Sequence, residues 1–401
     1  MRWPALAVLI SLLAACDASE PTGPMAGAGA ERDGVSQREQ VLGSFLEAHW
    51  KRPVSVQGPA AEGWSPLEAS LNPKDCGSCH PQQLADWQTS LHADAFSPGF
   101  SGQLIEGGLA QPHALRGCQK CHTPLEEQQP FGPGPDHTAQ PSAYDVELRE
   151  AGLICAGCHV RAHRHFGPPR RAELPPLPET LPHAGFETRP EFQESRFCAP
   201  CHQFFDRSGV NVQNTYFEWK ESPHAARGET CQSCHMPDRR HLWRGIHDRD
   251  MVAAGVDVAW AEGDANALVL TAHGVGHAFP TYVTPRIVMA IWQEDAAGRL
   301  IEGTRLEHTI GRKVNFRKGE DVFDTRVPAG GTARLEYSRP TDPGAVAWVG
   351  QVTVDPDFHY RGVFEHYLPT LSDPKARALI AEALERSQRS SYTLTELRRP
   401  L

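Results

Sequence analysis

Aromatic residues are scarce in this chain. Phe, Tyr and Trp make up 8% of its 401 residues, which leaves little material for an ordinary side-chain core. Beyond the first fifteen residues no apolar run is long enough to span a bilayer as a helix. Positive charge is short as well: 39 Lys and Arg stand against 49 Asp and Glu, a formal net charge of −10, and this argues against nucleic-acid binding. Methionine numbers only five, and Met236, Met251 and Met289 alone lie beyond the N-terminal stretch. Glycine (35) and proline (34) are plentiful instead, the composition of a loop-rich chain. The length fits roughly two to three domains.

Eleven cysteines in an exported chain would ordinarily suggest disulfides. Ten of them, however, fall in five copies of one pattern: Cys76-Gly-Ser-Cys79-His80, Cys118-Gln-Lys-Cys121-His122, Cys155-Ala-Gly-Cys158-His159, Cys198-Ala-Pro-Cys201-His202 and Cys231-Gln-Ser-Cys234-His235. At this composition about 0.01 to 0.02 copies would arise by chance. C-x-x-C-H is the attachment signature of c-type haem: both thiols add across the vinyl groups, and the adjacent imidazole reaches the iron from the proximal side. A zinc ribbon uses two C-x-x-C pairs per metal, so five pairs would leave one over, and zinc needs no histidine after every second cysteine. The expected cofactor is therefore haem c with its iron, five copies covalently attached. Each macrocycle is a flat apolar body that replaces the missing core, and its propionates add negative charge beyond the formal count. No disulfide is expected. The boxes start at 76, 118, 155, 198 and 231, only 33 to 43 residues apart. So little chain per cofactor cannot isolate the haems in separate folds, so they must lie near one another and form a wire for electrons.

The N-terminus reads as a targeting segment, with Arg2 as its positive end, Ala5 to Leu13 apolar, and Leu13-Ala14-Ala15-Cys16 at the cleavage region. It resembles a bacterial lipoprotein signal, which implies a peptide of residues 1–15, a lipid on Cys16 and a place in the bacterial cell envelope, periplasm-facing or on the outer surface. Residues 16–52 then form the lipidated cysteine and a Gly/Ala/Pro-rich tether, with a weak helical pattern over Ser36 to His49. Residues 53–73 read as extended coil.

With so few methionines, bis-histidine iron is expected, which lowers potential relative to His/Met ligation. Trp87-Gln-Thr-Ser90-Leu-His92-Ala93 and Trp219-Lys-Glu-Ser222-Pro-His224-Ala225 share the pattern W-x-x-S-x-H-A. Here the stretch 72–250 resembles multihaem c-type cytochromes of the group that includes the tetrahaem cytochrome of nitrifiers and octahaem hydroxylamine oxidoreductase. The resemblance implies that His92 and His224 are distal ligands. Cys231 to Pro237 is similar to the C-x-x-C-H-M-P box of that group, which implies a further ligand at His241 or, second, His247. The usual C-x-x-C-H-G-P-G-x-x-H is broken after Cys118-Gln-Lys-Cys121-His122, and this weakens the case for His137. His113, His163, His165 and His183 stay eligible. His183 is favoured, because its distance ahead of the fourth box lets it return over a neighbouring haem.

Beyond Asp250 strand signals take over. Val258 to Thr271, the apolar run Arg286 to Gln293, Gly331 to Tyr337 and Val346 to Val354 suggest a small β-sandwich, and Asp295 to Gly298 a turn. A last helix is expected with Ser372 as N-cap and Pro374 in its first turn, burying Leu379, Ile380, Ala383 and Leu384. The sequence thus reads as an α + β multidomain chain: a mostly helix and coil pentahaem domain over 53–250, a β-sandwich-like domain over 251–370, and a C-terminal helix and tail over 371–401. Gly274-Val-Gly276-His277-Ala-Phe-Pro280-Thr281 is similar to a box in β-domains attached to multihaem cytochromes, which implies that His277 ligates an iron. His273 is the lesser choice.

Two functions fit. One is electron transfer between a redox donor and acceptor, membrane-anchored through the lipid and compatible with an oligomer. The other is a multihaem oxidoreductase, with one open iron for a small nitrogen, sulfur or oxygen substrate. No C-x-x-C-K box occurs, which favours the first.

Overall fold

The computed structural model describes residues 43–108, 112–130, 143–173, 181–206, 209–263, 266–316 and 318–401. Cys16, the targeting segment, the tether up to residue 42 and His137 lie outside the described residues, as does the side chain of His113. The chain divides into two compact units. One holds the residues up to His202 together with Thr230–Trp243; the other holds Gln203–Glu229 and Arg244–Leu401. The single stretch 53–250 of the sequence reading is thus interrupted: the chain leaves the first unit at Gln203, returns at Thr230 and leaves again at Arg244.

The first unit is built of short helices joined by coil. Helical residues 43–49 bury Leu46 completely. The coil expected over 53–73 contains one helical turn, Pro66–Ala69, because Ser65 and Glu68 form a reciprocal capping box. The longer helices are Pro73–Cys79, Pro81–Trp87, Pro98–Gly108 and Pro112–His122. Proline at the first helical position, which lacks an N–H to satisfy, starts several of them. Three strands, β1 (Val160–Arg161), β2 (Arg164–Gly167) and β3 (Glu187–Thr188), make a small sheet. The main apolar cluster is modest: Val54, Trp87, Leu125, Leu148, Ile154, Ala156 and Val160.

The second unit opens with a short ribbon, β4 (Phe204–Phe205) paired to β5 (Asn211–Gln213), and the helix Thr215–Lys220. A sandwich follows. Strands β6 (Asp257–Trp260), β7 (Ala267–Thr271), β8 (Arg286–Glu294), β9 (Leu306–Asn315), β10 (Glu320–Asp324), β11 (Thr332–Glu336), β12 (Ala347–Asp355) and β13 (Tyr392–Pro400) form two sheets. Their orders are β10-β9-β8-β12-β13 and β11-β7-β6, and neighbours are antiparallel throughout. Alternating residues from both sheets share one core: Leu268, Leu270 and Leu335 meet Ile287, Met289, Ile310, Val352 and Val354.

Three expectations need correction at the C-terminus. The N-cap of the helix Pro374–Arg389 is Asp373, not Ser372, because its carboxylate accepts from the amides of Lys375 (2.8 Å) and Ala376 (2.9 Å). The buried stripe is Ala376, Ile380, Ala383 and Ser387, so Leu379 and Leu384 lie at its margins. The segment read as a tail is the edge strand β13. Charged residues such as Glu396, Arg398 and Arg399 disguise it in the sequence and suit an exposed edge.

Ile310 is completely buried at the centre of the sandwich core. Ile310→Ala should destabilise the second unit by about 2–5 kcal/mol, whereas Val322→Ala, at an exposed edge position, should change stability by less than about 0.5 kcal/mol. Denaturant unfolding followed by circular dichroism in the β-sheet band distinguishes the two.

Candidate haem-binding site

Each C-x-x-C-H box sits at a helical turn: within Pro73–Cys79 with His80 as its C-cap, within Pro112–His122, Cys155–His159 and Cys231–His235, and in Ala199–His202 with Cys198 just ahead of it. Helical spacing puts residues three and four apart on one face, so both thiols and the histidine that follows face the same way. The ten box cysteines are not joined to one another by disulfides. The boxes adjoin one another through them. Cys76 lies beside Cys155, Cys121 beside Cys201, and Cys198 beside Cys231. The first box therefore meets the third, and the fourth meets both the second and the fifth. Among the described residues no group of three or more His, Cys, Asp or Glu side chains is arranged to hold a lone metal ion.

The imidazoles between the boxes are spaced in a telling way. The ring centroids of His92 and His202 are 6.4 Å apart, and those of His159 and His241 are 6.2 Å apart. A metal–nitrogen bond of about 2 Å on each side, plus the distance from nitrogen to ring centre, puts two trans imidazoles about 6 Å apart. Both pairs thus leave room for one iron. His183 behaves differently. It stacks on His165 at 3.9 Å, too close for a metal between those two rings, and among the box histidines it acts on His80, whose pKa is lowered by burial and then by His183.

Hydrogen bonds sort the histidines further. Nδ1–H donates to a backbone carbonyl from His122 (Ala95, 2.6 Å), His159 (Phe166, 2.7 Å), His183 (Gly185, 2.8 Å), His241 (Arg239, 3.0 Å) and His277 (Ala278, 2.9 Å). His224 uses Nδ1 toward the Glu229 carboxylate at 2.6 Å. The carbonyl bonds fix the tautomer of those five and leave Nε2 as the nitrogen for a metal, whereas at His224 Arg227 Nη2 also lies 3.1 Å from Nδ1. His49, His163 and His247 engage Nε2 instead, with Cys158 O, Gly58 O and Asp357 Oδ1. Of the downstream pair, then, His241 and not His247 has the fitting donor. Burial keeps the facing rings neutral, as metal binding requires. His92 is lowered to about 3 by burial and then by His202, His235 and His241. His159 is lowered to about 4, again chiefly by burial. Met289 is completely buried in the sandwich core, away from ligand duty.

The two W-x-x-S-x-H-A boxes are mounted in the same way. Trp87 Nε1 donates to Leu153 O (2.8 Å), and Leu153 N–H donates to His92 O (2.9 Å). Trp219 Nε1 donates to Glu229 O (2.9 Å), and Glu229 N–H donates to His224 O (3.0 Å). Leu153 and Glu229 each stand two residues before the first cysteine of a box, Cys155 and Cys231. Gly152 permits the close approach at the first mount, since its φ is +72° and a Cβ there would lie 2.8 Å from His92 O. In the second unit Gly276 packs against Trp219 and His224, and Glu218 accepts from Ala278 N (3.2 Å), Thr281 Oγ1 (2.9 Å) and Arg326 Nη1 (2.8 Å). The second mount and the Gly-His-x-Phe-Pro-Thr box are therefore one assembly carrying His224 and His277. His273 is near the surface beside Asp257.

Sequence reasoning missed the residues that hold His241. Asp86, 3% exposed, accepts from Arg240 Nε (2.7 Å) and Nη2 (2.6 Å), from the His241 amide (3.0 Å) and from Gln82 Nε2 (2.9 Å). Trp243 packs edge-on against both His92 (4.6 Å) and His241 (5.0 Å). Phe100 stacks on His122 and Phe192 on His159. None of these has a local pattern; only the W-x-x-S-x-H-A spacing to the next cysteine carried a signal.

The Arg240 guanidinium and its partners hold the Asp86 carboxyl down at about 2. A depressed carboxylate contributes stability above its unfolded pKa of about 4 and loses it as pH falls through about 2. Asp86→Asn should therefore be less stable than the parent at pH 7, and the difference should close as pH drops from about 4 towards 2. Denaturant midpoints of both proteins across that range check it.

A family model described as "Cytochrome c554 and c-prime" matches residues 75–160, the span of the first three boxes. No curated protein matches. The crystal structure of a penta-haem cytochrome c552 from Thermochromatium tepidum is similar at a TM-score of 0.58 and 18% sequence identity, covering 84% of this chain and 100% of that one. At that identity the likeness establishes a common α + β fold. The family match is confined to residues 75–160, and the structural match speaks for the fold.

Proposed function

We propose that the chain is a penta-haem c-type cytochrome that carries electrons between a redox donor and a redox acceptor in a bacterial respiratory chain. The observation that carries this reading is the pair of imidazole couples, His92 with His202 and His159 with His241, each spaced for one iron. Cys76 to Cys234 of the five boxes hold the macrocycles, and His80, His122, His159, His202 and His235 supply the proximal nitrogens. His92 and His241 are the distal ligands of the fourth and third haems. His183 serves the first, supported by its electrostatic effect on His80 and by its oriented Nδ1. His224 and His277 are further distal ligands, supported by the engagement of Nδ1 in each, which leaves Nε2 for a metal.

When bound, haem iron cycles between ferric and ferrous and so passes single electrons. The chain's own part is to hold each imidazole neutral, in one tautomer, and close to the next box. Paired thiols of different boxes bring neighbouring attachment points together, which supports short tunnelling steps. The motif-bearing N-terminus supports attachment of a lipid at Cys16 and a place in the cell envelope.

The alternative is catalysis at one open iron, and spectra decide it. The ferric protein should be wholly low-spin, and carbon monoxide should leave the reduced spectrum unchanged. A high-spin fraction that binds carbon monoxide would assign the chain to the oxidoreductases instead.

A further inference from the structure

Arg52 lies where two boxes of the first unit meet. Its Nη1 donates to Lys120 O (3.1 Å), Cys121 Sγ (3.2 Å) and Cys201 Sγ (3.0 Å), and its Nη2 donates to Pro200 O (2.7 Å). Lys120 and Pro200 hold the same place in their boxes, immediately before the second cysteine. One guanidinium therefore engages the same two groups, a carbonyl and the second sulfur, in both the second and the fourth box. Its backbone is fixed close by: Val54 N–H donates to Pro124 O (2.7 Å), and Glu126 N–H donates to Val54 O (2.9 Å). Among the described residues no carboxylate pairs with Arg52, and its Nε is buried.

That arrangement is unusual for hydrogen bonding alone. Sulfur is a weak acceptor, and a thioether carries no negative charge to match the guanidinium. Arginine stays protonated at every relevant pH. The protein atoms that meet this positive charge are thus two attachment sulfurs and the carbonyls beside them.

Building on the penta-haem reading, we propose that Arg52 is a fixed positive charge shared by the second and fourth haem sites, and that it raises both reduction potentials together. When an electron from the redox donor converts ferric to ferrous iron, the site's charge falls by one. A cation held at the attachment sulfurs favours the reduced form at both irons, the more so where solvent is excluded. Arg52 acts through the box sulfurs and carbonyls, so it is a positioning and tuning residue.

The test compares Arg52→Gln and Arg52→Lys with the parent by intact mass and by spectroelectrochemical titration. The parent mass first establishes whether five haems are attached; their absence would refute the penta-haem reading itself. With five haems in all three proteins, Arg52→Gln should move two of the five transitions to lower potential, and Arg52→Lys should keep them near the parent values. Five unmoved transitions in Arg52→Gln would overturn the proposal. So would equal shifts in both variants, or haem loss in both, since either result would make the role structural and not one of charge.

Discussion

An imidazole binds a metal only when it is neutral and aimed, and in this chain that aim is set by what Nδ1 touches. His122, His159, His183, His241 and His277 each give their Nδ1–H to a carbonyl of the fold. The carbonyl cannot donate in return, so the proton stays on Nδ1 and the lone pair stays on Nε2. Four of these histidines, all but His277, lie in the first unit, where further contacts hold the neighbouring rings. The Asp86–Arg240 pair fixes the backbone at His241, Leu153 fixes the backbone at His92, and Trp243 fills the space between the two rings.

The contrast between the two units follows from how each buries apolar surface. Eighteen buried residues form the core of the sandwich, whereas the main cluster described in the first unit has seven. Sheets that alternate inward and outward residues make a core from side chains alone. Short helices joined by coil do not, and a unit of this kind needs another apolar body to fold around. Ten thiols and five adjacent histidines are the residues that would hold such bodies.

The five boxes were legible in the sequence because the chemistry is local: two thiols and a histidine must be consecutive at fixed spacing. The sandwich was legible because Leu335 and Val352 lie in strands that alternate with period two. The helix start was displaced by one residue, since Ser372 and Asp373 are both good caps and only geometry separates them. Strand β13 was not legible, because an exposed edge tolerates Glu396 and Arg398. The supports of the candidate ligands were hidden for another reason. Asp86 and Arg240 are 154 residues apart, and no local pattern announces a pairing over that separation. His241 and His247 looked alike in the chain until Asp357 was seen to engage Nε2 of His247.

All of these assignments depend on porphyrin being bonded to the ten box sulfurs. Intact mass of the purified mature protein after treatment with a thiol-alkylating reagent tests this most directly. The expected result is the polypeptide plus five haems, with none of the ten box cysteines alkylated. A colourless chain whose box cysteines all take the reagent would contradict it.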